Sequence, residues 1–237
     1  VTAALRGTAV ATDAGLASRP LLLLVVIGAL SLLPFVVLLM TSFVKIAVVL
    51  SVLKSALGTP QIPPSQVVTG VALILTLFVM APTGMRMFQA VEPLLGQSAG
   101  ADLLSGQTAE ALSAATAKAK EPLREFLLKN ASARDRAVFH SLALRMRTAQ
   151  ERAGISEQDF LVVVPAFLTS ELRRAFEIGF LLFVPFLVVD MVIANLLLAL
   201  GMHMLSPTTV SLPFKLLLFV LADGWQLLLR GLVESYV

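Results

Sequence analysis

No cysteine occurs among the 237 residues. That excludes a disulfide framework, a thiolate metal centre and a cysteine nucleophile. Charge is scarce as well. Asp, Glu, Lys and Arg make up 14% of the chain, against about 25% in an ordinary soluble domain. Histidine occurs twice, as His140 and His203. The two lie in different kinds of segment and neither has a second ligand at metal spacing, so no metal and no cofactor is expected. Gly-x-x-x-x-Gly-Lys-Ser/Thr and His-Glu-x-x-His are both missing. Without a nucleophile–base or metal pair the chain is expected not to be an enzyme. The formal net charge is +3. The basic residues are mixed with acids through the middle of the chain and form no basic face, which argues against nucleic acid.

What the chain has is apolar length: 57% hydrophobic residues and a mean hydropathy of +0.90. A spanning helix needs about 20 residues. A first apolar segment runs from Leu21 to about Leu53 and is interrupted by Pro34, Thr41, Ser42 and Lys45. It is too long for a signal-peptide core, which takes about 7–15 residues, so it reads as a retained helix. It is expected to tilt, to kink near Pro34, or to leave the hydrocarbon before Lys45. Gly58–Ser65 carries Pro60, Pro63 and Pro64 and no helix continues through it. A second segment runs from Val67 to about Met87.

Residues 92–159 differ in character, with nine Lys/Arg and nine Asp/Glu. Ala109–Lys120 favours helix. Pro122 suits the first position of another helix, with Leu123, Phe126 and Leu127 on one face. Ser132 and Asp135, and again Ser156 and Asp159, have capping-box spacing; the second pair predicts a helix from Glu157. Val138, Leu142 and Met146 mark an amphipathic face. A third apolar segment, Phe176–Leu200, and a fourth, from about Val210 to Val233, flank the connector Gly201-Met-His-Met-Leu-Ser-Pro207. The expected fold is therefore all-α, with about four long apolar helices in two membrane-type hairpins. The divisions are an N-terminal tail (1–20), a first hairpin (21–91), a polar helical insert (92–159) and a second hairpin (160–237). Four spans would put both termini and the insert on one side; the insert is too long for the positive-inside rule to say which.

Polar residues inside apolar runs persist only if they pair, snorkel or meet water. Lys45 either snorkels or pairs with another helix. Glu171–Arg174 and Arg173–Glu177 can pair within one helix; alternatively Glu171 reaches a cation elsewhere, for which Lys215 is the candidate. Asp190 and Asn195 favour inter-helix hydrogen bonding over a proton path. Asp223-Gly-Trp225 suits a close helix contact with an interfacial anchor. Met202 and Met204 around His203 form a deformable element. A self-contained multipass carrier or proton-coupled transporter using Asp190 and Glu171 is the alternative function.

Several segments resemble the FliP/SctR family: Met40-Thr-Ser-Phe-Val-Lys45, Ala56–Pro64, Pro165–Leu172, Ala175–Phe180, Val184-Pro-Phe186, Leu198–Met202, Leu212–Leu216 and Asp223-Gly-Trp225. They occur in family order over roughly residues 30–235. The resemblance implies an inner-membrane subunit of the type III secretion export gate, flagellar or virulence-associated. It implies five copies joined to FliQ/SctS-like and FliR/SctT-like subunits, with an FlhB/SctU-like export switch, membrane lipid and unfolded secretion substrates as further partners. It places the insert in the periplasm, and assembles the helices into a helical multi-subunit channel. It assigns the gasket of the pore to Met202, His203 and Met204, where His203 replaces a methionine of many members. Lys45, Glu171, Arg174, Asp190, Lys215 and Asp223 are the expected inter-helix or inter-subunit polar contacts. The Leu205–Ser211 stretch and the short tail after Trp225 look more virulence-type than flagellar.

Overall fold

The computed structural model describes residues 20–58, 63–98, 106–152 and 154–237. The tail expected over residues 1–20 lies outside them, apart from Pro20, which opens the first helix. The described residues form nine helices and no strand. Among the described residues, those up to Val37 form one unit and those from Leu38 on a second.

Helix α1, Pro20–Leu39, makes up the described part of the first unit. It is apolar all round, and Leu24, Ile27, Leu30, Leu33 and Phe35 are exposed. Pro34 lies inside it without ending it. The break in the first apolar segment falls instead at Met40–Ser42, later than the expected kink at Pro34. There Thr41 donates from Oγ1 to the Leu38 carbonyl at 2.7 Å and accepts from the Phe43 N–H at 3.3 Å. A short hydroxyl side chain thus satisfies backbone groups that a helix would otherwise pair.

The second unit is built on two helices. Helix α2, Phe43–Ala56, buries Lys45, Ile46, Val49, Leu50, Leu53 and Ala56, which recur at helical spacing on one face. Helix α7, Phe160–Ala199, is 40 residues long and receives that face. The expected separate helix from Glu157 and apolar segment from Phe176 are one continuous rod. It starts three residues late because Ser156 and Asp159 close a turn, in which the Asp159 carboxylate accepts from the Ser156 N–H at 2.8 Å. Helix α3, Ser65–Ser98, continues past the expected end and contains Pro82 and Pro93. Helices α8, Pro207–Leu221, and α9, Gly224–Glu234, bend by 61° where one segment was expected. Asp223 sits at the bend with φ +50°. A Cβ on Gly224 would lie 2.3 Å from the Phe219 ring. The close contact expected at Asp223-Gly-Trp225 therefore exists, and it is made by the preceding helix.

The insert consists of α4, Gly106–Asn130, α5, Ala133–Arg145, and the short α6, Ala149–Arg152. Pro122 lies inside α4 rather than at a helix start. Phe126 and Leu127 are buried against Val163, Ala166 and Phe167 of α7. On α5, however, Val138, Leu142 and Met146 are exposed. The face that docks on α7 is anchored by Asp135 instead, so polar bonding wins over the apolar stripe.

Two apolar cores result. One gathers α2 with Val68, Ala72, Ala175, Phe186, Phe219, Leu228 and Leu232; the other joins α4, α7 and Tyr236. Outside them, α3 and α7 present Ile74, Leu77, Phe78, Phe176, Phe180 and Leu181 to the surroundings. Residues Ser65–Pro93 and α7 are long and apolar enough to cross a membrane, and the count reaches four if each bent pair is one span. Such helices gain nothing from burying carbon away from lipid and associate through close packing. Gly179 supplies that packing: a Cβ there would lie 2.9 Å from Val52 Cγ1. Replacing Gly179 with Leu is expected to force α2 off α7 and to lower stability by about 1–3 kcal/mol, the usual cost of overpacking. Thermal unfolding in detergent measures the loss, and Val52→Ala in the same chain should recover part of it.

Candidate functional site

The informative geometry lies between the two cores, where charged groups have entered the packed interior. Lys45, in the first turn of α2, and Glu171, in the fourth turn of α7, are both 0% exposed. Lys45 Nζ is 3.4 Å from Glu171 Oε2. Lys45 therefore does not snorkel. Arg174 donates to Glu171 Oε1 at 3.1 Å from one turn further along α7, so its contact is local. Tyr236 completes the group. Its hydroxyl donates to Glu171 Oε2, and Lys45 Nζ stands 3.5 Å over its ring. A cation on an aromatic face is worth about 2 kcal/mol when desolvated; here the ring faces an ammonium with no hydrogen bond of its own. Tyr236 is fixed from the insert as well. Its ring stacks on Phe126, and its carbonyl accepts from Lys129 Nζ at 3.3 Å.

The expected Glu171–Lys215 pair is not formed. Lys215, on α8, donates to Asp190 Oδ2 at 2.6 Å and to the Ala56 carbonyl at 3.3 Å. Asp190 also accepts from Ser211. The sequence offered two acids and two cations inside apolar helices, and the fold pairs Lys45 with Glu171 and Lys215 with Asp190. Spacing along the chain does not encode which cation faces which acid. Ala56 ends α2, so the second pair ties three helices at one point. Asp223 makes no polar side-chain contact among the described residues; its part in the fold is its left-handed backbone.

A third node joins the insert to α7. Asp135 accepts from Arg173 at 2.7 Å, Ser170 at 2.7 Å and Ser132 at 2.7 Å. Arg173 thus leaves Glu177, its expected partner. Ser132 caps α5 by accepting from the Asp135 N–H at 3.1 Å, as the spacing predicted, and its own N–H goes to Ser170. Burial pushes the Asp135 carboxyl up, but the hydroxyls of Ser170 and Ser132 and the Arg173 guanidinium outweigh it and hold the group below the usual carboxylate range. The sequence marks Asp135 only as a capping residue and does not single out Ser170 or Tyr236. The one signal for Tyr236 is that it is the only tyrosine in an apolar chain.

The connector Gly201–Ser206 behaves differently. Gly201 turns the chain with φ +72°, and Met202, His203 and Met204 follow, all exposed. Met204 is 98% exposed, an unusual state for a thioether in water and one that leaves it free to meet another surface. No cluster of three or more His, Cys, Asp or Glu able to hold a metal exists among the described residues.

Long apolar helices, buried inter-helix ion pairs and an exposed methionine turn occur here in the order of the motifs noted in the sequence. The FliP family model matches residues 26–232. The chain belongs to the FliP family. The hypersensitivity response secretion protein HrcR of Ralstonia nicotianae is 44% identical over 214 residues, covering 90% of this chain and 96% of that protein. The flagellar biosynthetic protein FliP of Pectobacterium carotovorum subsp. carotovorum is 46% identical over 213 residues, covering 90% and 77%. The virulence protein YscR of Salmonella typhimurium is 42% identical over 221 residues, covering 93% and 99%. Similarity of this level to proteins named for flagella, for secretion and for virulence does not separate those systems.

Removing one member of a buried pair strands the other, at a typical cost of about 3–5 kcal/mol. For Lys45→Met the loss is expected near 3 kcal/mol, the low end of that range, because Arg174 and Tyr236 still serve Glu171. Lys45→Met with Glu171→Gln should recover most of it. Unfolding in detergent reads the cycle, and additive losses would show that the two groups are not coupled.

Asp135 gives a pH signature. Its carboxyl is depressed in the fold, so its contribution is complete above the unfolded value of about 3.9 and fades as the pH falls through the folded one. Hydrogen exchange in α5 should therefore accelerate as the pH drops below about 4, after correction for intrinsic rates, and Asp135→Asn should lose that pH dependence.

Proposed function

We propose that this chain is a pore-forming structural subunit of a type III secretion export gate, conducting unfolded secretion substrates across the bacterial inner membrane. The observation that carries the reading is the exposed Gly201-Met-His-Met turn between two apolar helices, in a chain of the FliP family over residues 26–232. In a ring of such chains the turn repeats around the axis. Met202, His203 and Met204 then form a soft constriction, because unbranched thioethers repack at little cost. Five copies join FliQ/SctS-like and FliR/SctT-like subunits, with an FlhB/SctU-like switch beside them. The exposed apolar faces of α3 and α7 meet lipid or neighbouring subunits, and the insert (92–159) lies in the periplasm between the two hairpins (21–91 and 160–237). The complex stands at the base of a flagellum or injectisome.

A proton-coupled carrier built on Asp190 and Glu171 fits less well. Both acids are bound to cations, Lys215 and Lys45, and cycling either through a neutral form would strand its partner.

The test is conductance of the purified assembly in a planar bilayer. Met202→Ala with Met204→Ala should raise the closed-state leak at least tenfold while leaving subunit composition unchanged. A correctly assembled variant that stays tight would remove the seal from this turn. Solute uptake by the chain reconstituted alone would favour the carrier.

A further inference from the structure

The first hairpin has a one-sided charge. Between Asp13 and Glu92 there is no acidic residue, while Lys45, Lys54 and Arg86 all lie in that stretch. Any carboxylate that pairs with one of these cations therefore comes from outside the hairpin. Lys45 has Glu171, and Arg86 has Glu125 of the insert at 3.3 Å. Lys54 has no carboxylate among the described residues; its contact is Ser65 Oγ at 2.9 Å.

Lys54 also borders a cavity of about 330 Å³ enclosed by Leu50, Leu53, Val68, Val71, Trp225 and Leu229. That lies at the low end of small-ligand sites, which span about 300–1,000 Å³. It is large enough for part of an acyl chain and too small for a whole lipid. The lining is aliphatic apart from Lys54, whose ammonium is bonded to Ser65, and the Trp225 indole. Trp225 is held edge-on to Phe219, with ring centroids 5.4 Å apart. Tryptophan settles at the level of lipid headgroups, and a lysine there attracts anionic lipid.

We propose that this cavity is a binding site for an anionic phospholipid. One acyl chain enters between α2, α3 and α9, and the headgroup phosphate pairs with Lys54. The lipid supplies the anion that the first hairpin does not encode. The proposal does not depend on the pore reading, since it concerns the cavity between α2, α3 and α9 and makes no use of the methionine turn.

Native mass spectrometry tests it, on the full chain with its co-expressed neighbours, released from mild detergent after incubation with phosphatidylglycerol or, separately, phosphatidylcholine. One phosphatidylglycerol per copy of this chain should be retained, at least tenfold more than phosphatidylcholine. Lys54→Ala should abolish that preference and Lys54→Arg should preserve it. Val71→Trp, which fills the cavity, should reduce retention of both lipids. Equal retention of the two lipids by the unaltered protein would overturn the proposal, as would an unchanged preference in Lys54→Ala. So would efficient disulfide trapping of Leu229→Cys to a cysteine placed in a neighbouring subunit, which would show that protein fills the cavity. Inorganic phosphate at millimolar concentration should not displace the lipid; displacement would mean that Lys54 binds a free anion and the cavity has no part in it.

Discussion

Two full charges held away from water constrain everything around them. Lys45 and Glu171 are enclosed at the junction of two apolar cores, where an unpaired charge costs several kcal/mol. That fixes the register of α2 against α7, because a shift by one residue would turn Lys45 out of line with Glu171. The close passage at Gly179 and Val52 keeps the helices near enough for the side chains to meet. Tyr236 closes the remaining side, offering its hydroxyl to the carboxylate and its ring to the ammonium. The pair does not need to add net stability to matter. Its value lies in the arrangements it forbids, since a slipped pairing of the two helices leaves both charges without partners.

Helix α7 carries this logic along its length. Asp135 of the insert docks at Ser170 and Arg173, Lys45 docks at Glu171 one residue away, and Lys215 docks at Asp190 more than four turns further on. Ser170 and Glu171 point to different neighbours from adjacent positions, so the insert and the first hairpin are registered against the same turn. The prolines at 165 and 185 do not break the rod. Such residues are tolerated where neighbouring protein re-satisfies the freed backbone groups.

Much of this was legible in the sequence because hydropathy is a local property. The apolar runs, the polar insert and the family motifs could all be read directly, and the charged residues that sit inside the helices were singled out correctly as unusual. What could not be read was partnership. Lys215 looked like the mate of Glu171 because both were charged and buried, yet only the crossing of α7 with α8 decides that Asp190 is nearer. Helix ends were misplaced wherever a side chain competed with the backbone, as Thr41 does at the first break and Asp159 does before α7. The stripe Val138, Leu142 and Met146 was real as a pattern, but a pattern cannot report that Asp135 turns it outward.

The absence of carboxylates from the first hairpin has a consequence in time. Roughly 125 residues separate Lys45 from Glu171, and synthesis at about 5–20 residues per second puts the acid some 6–25 seconds behind the base. For that interval the nascent hairpin holds an ammonium that its own sequence cannot neutralise, in surroundings that penalise it. Until Glu171 has been made, the partner against which Lys45 is buried in the finished fold does not exist. The packing around Lys45 in the first half of the fold is thus completed only by the second half.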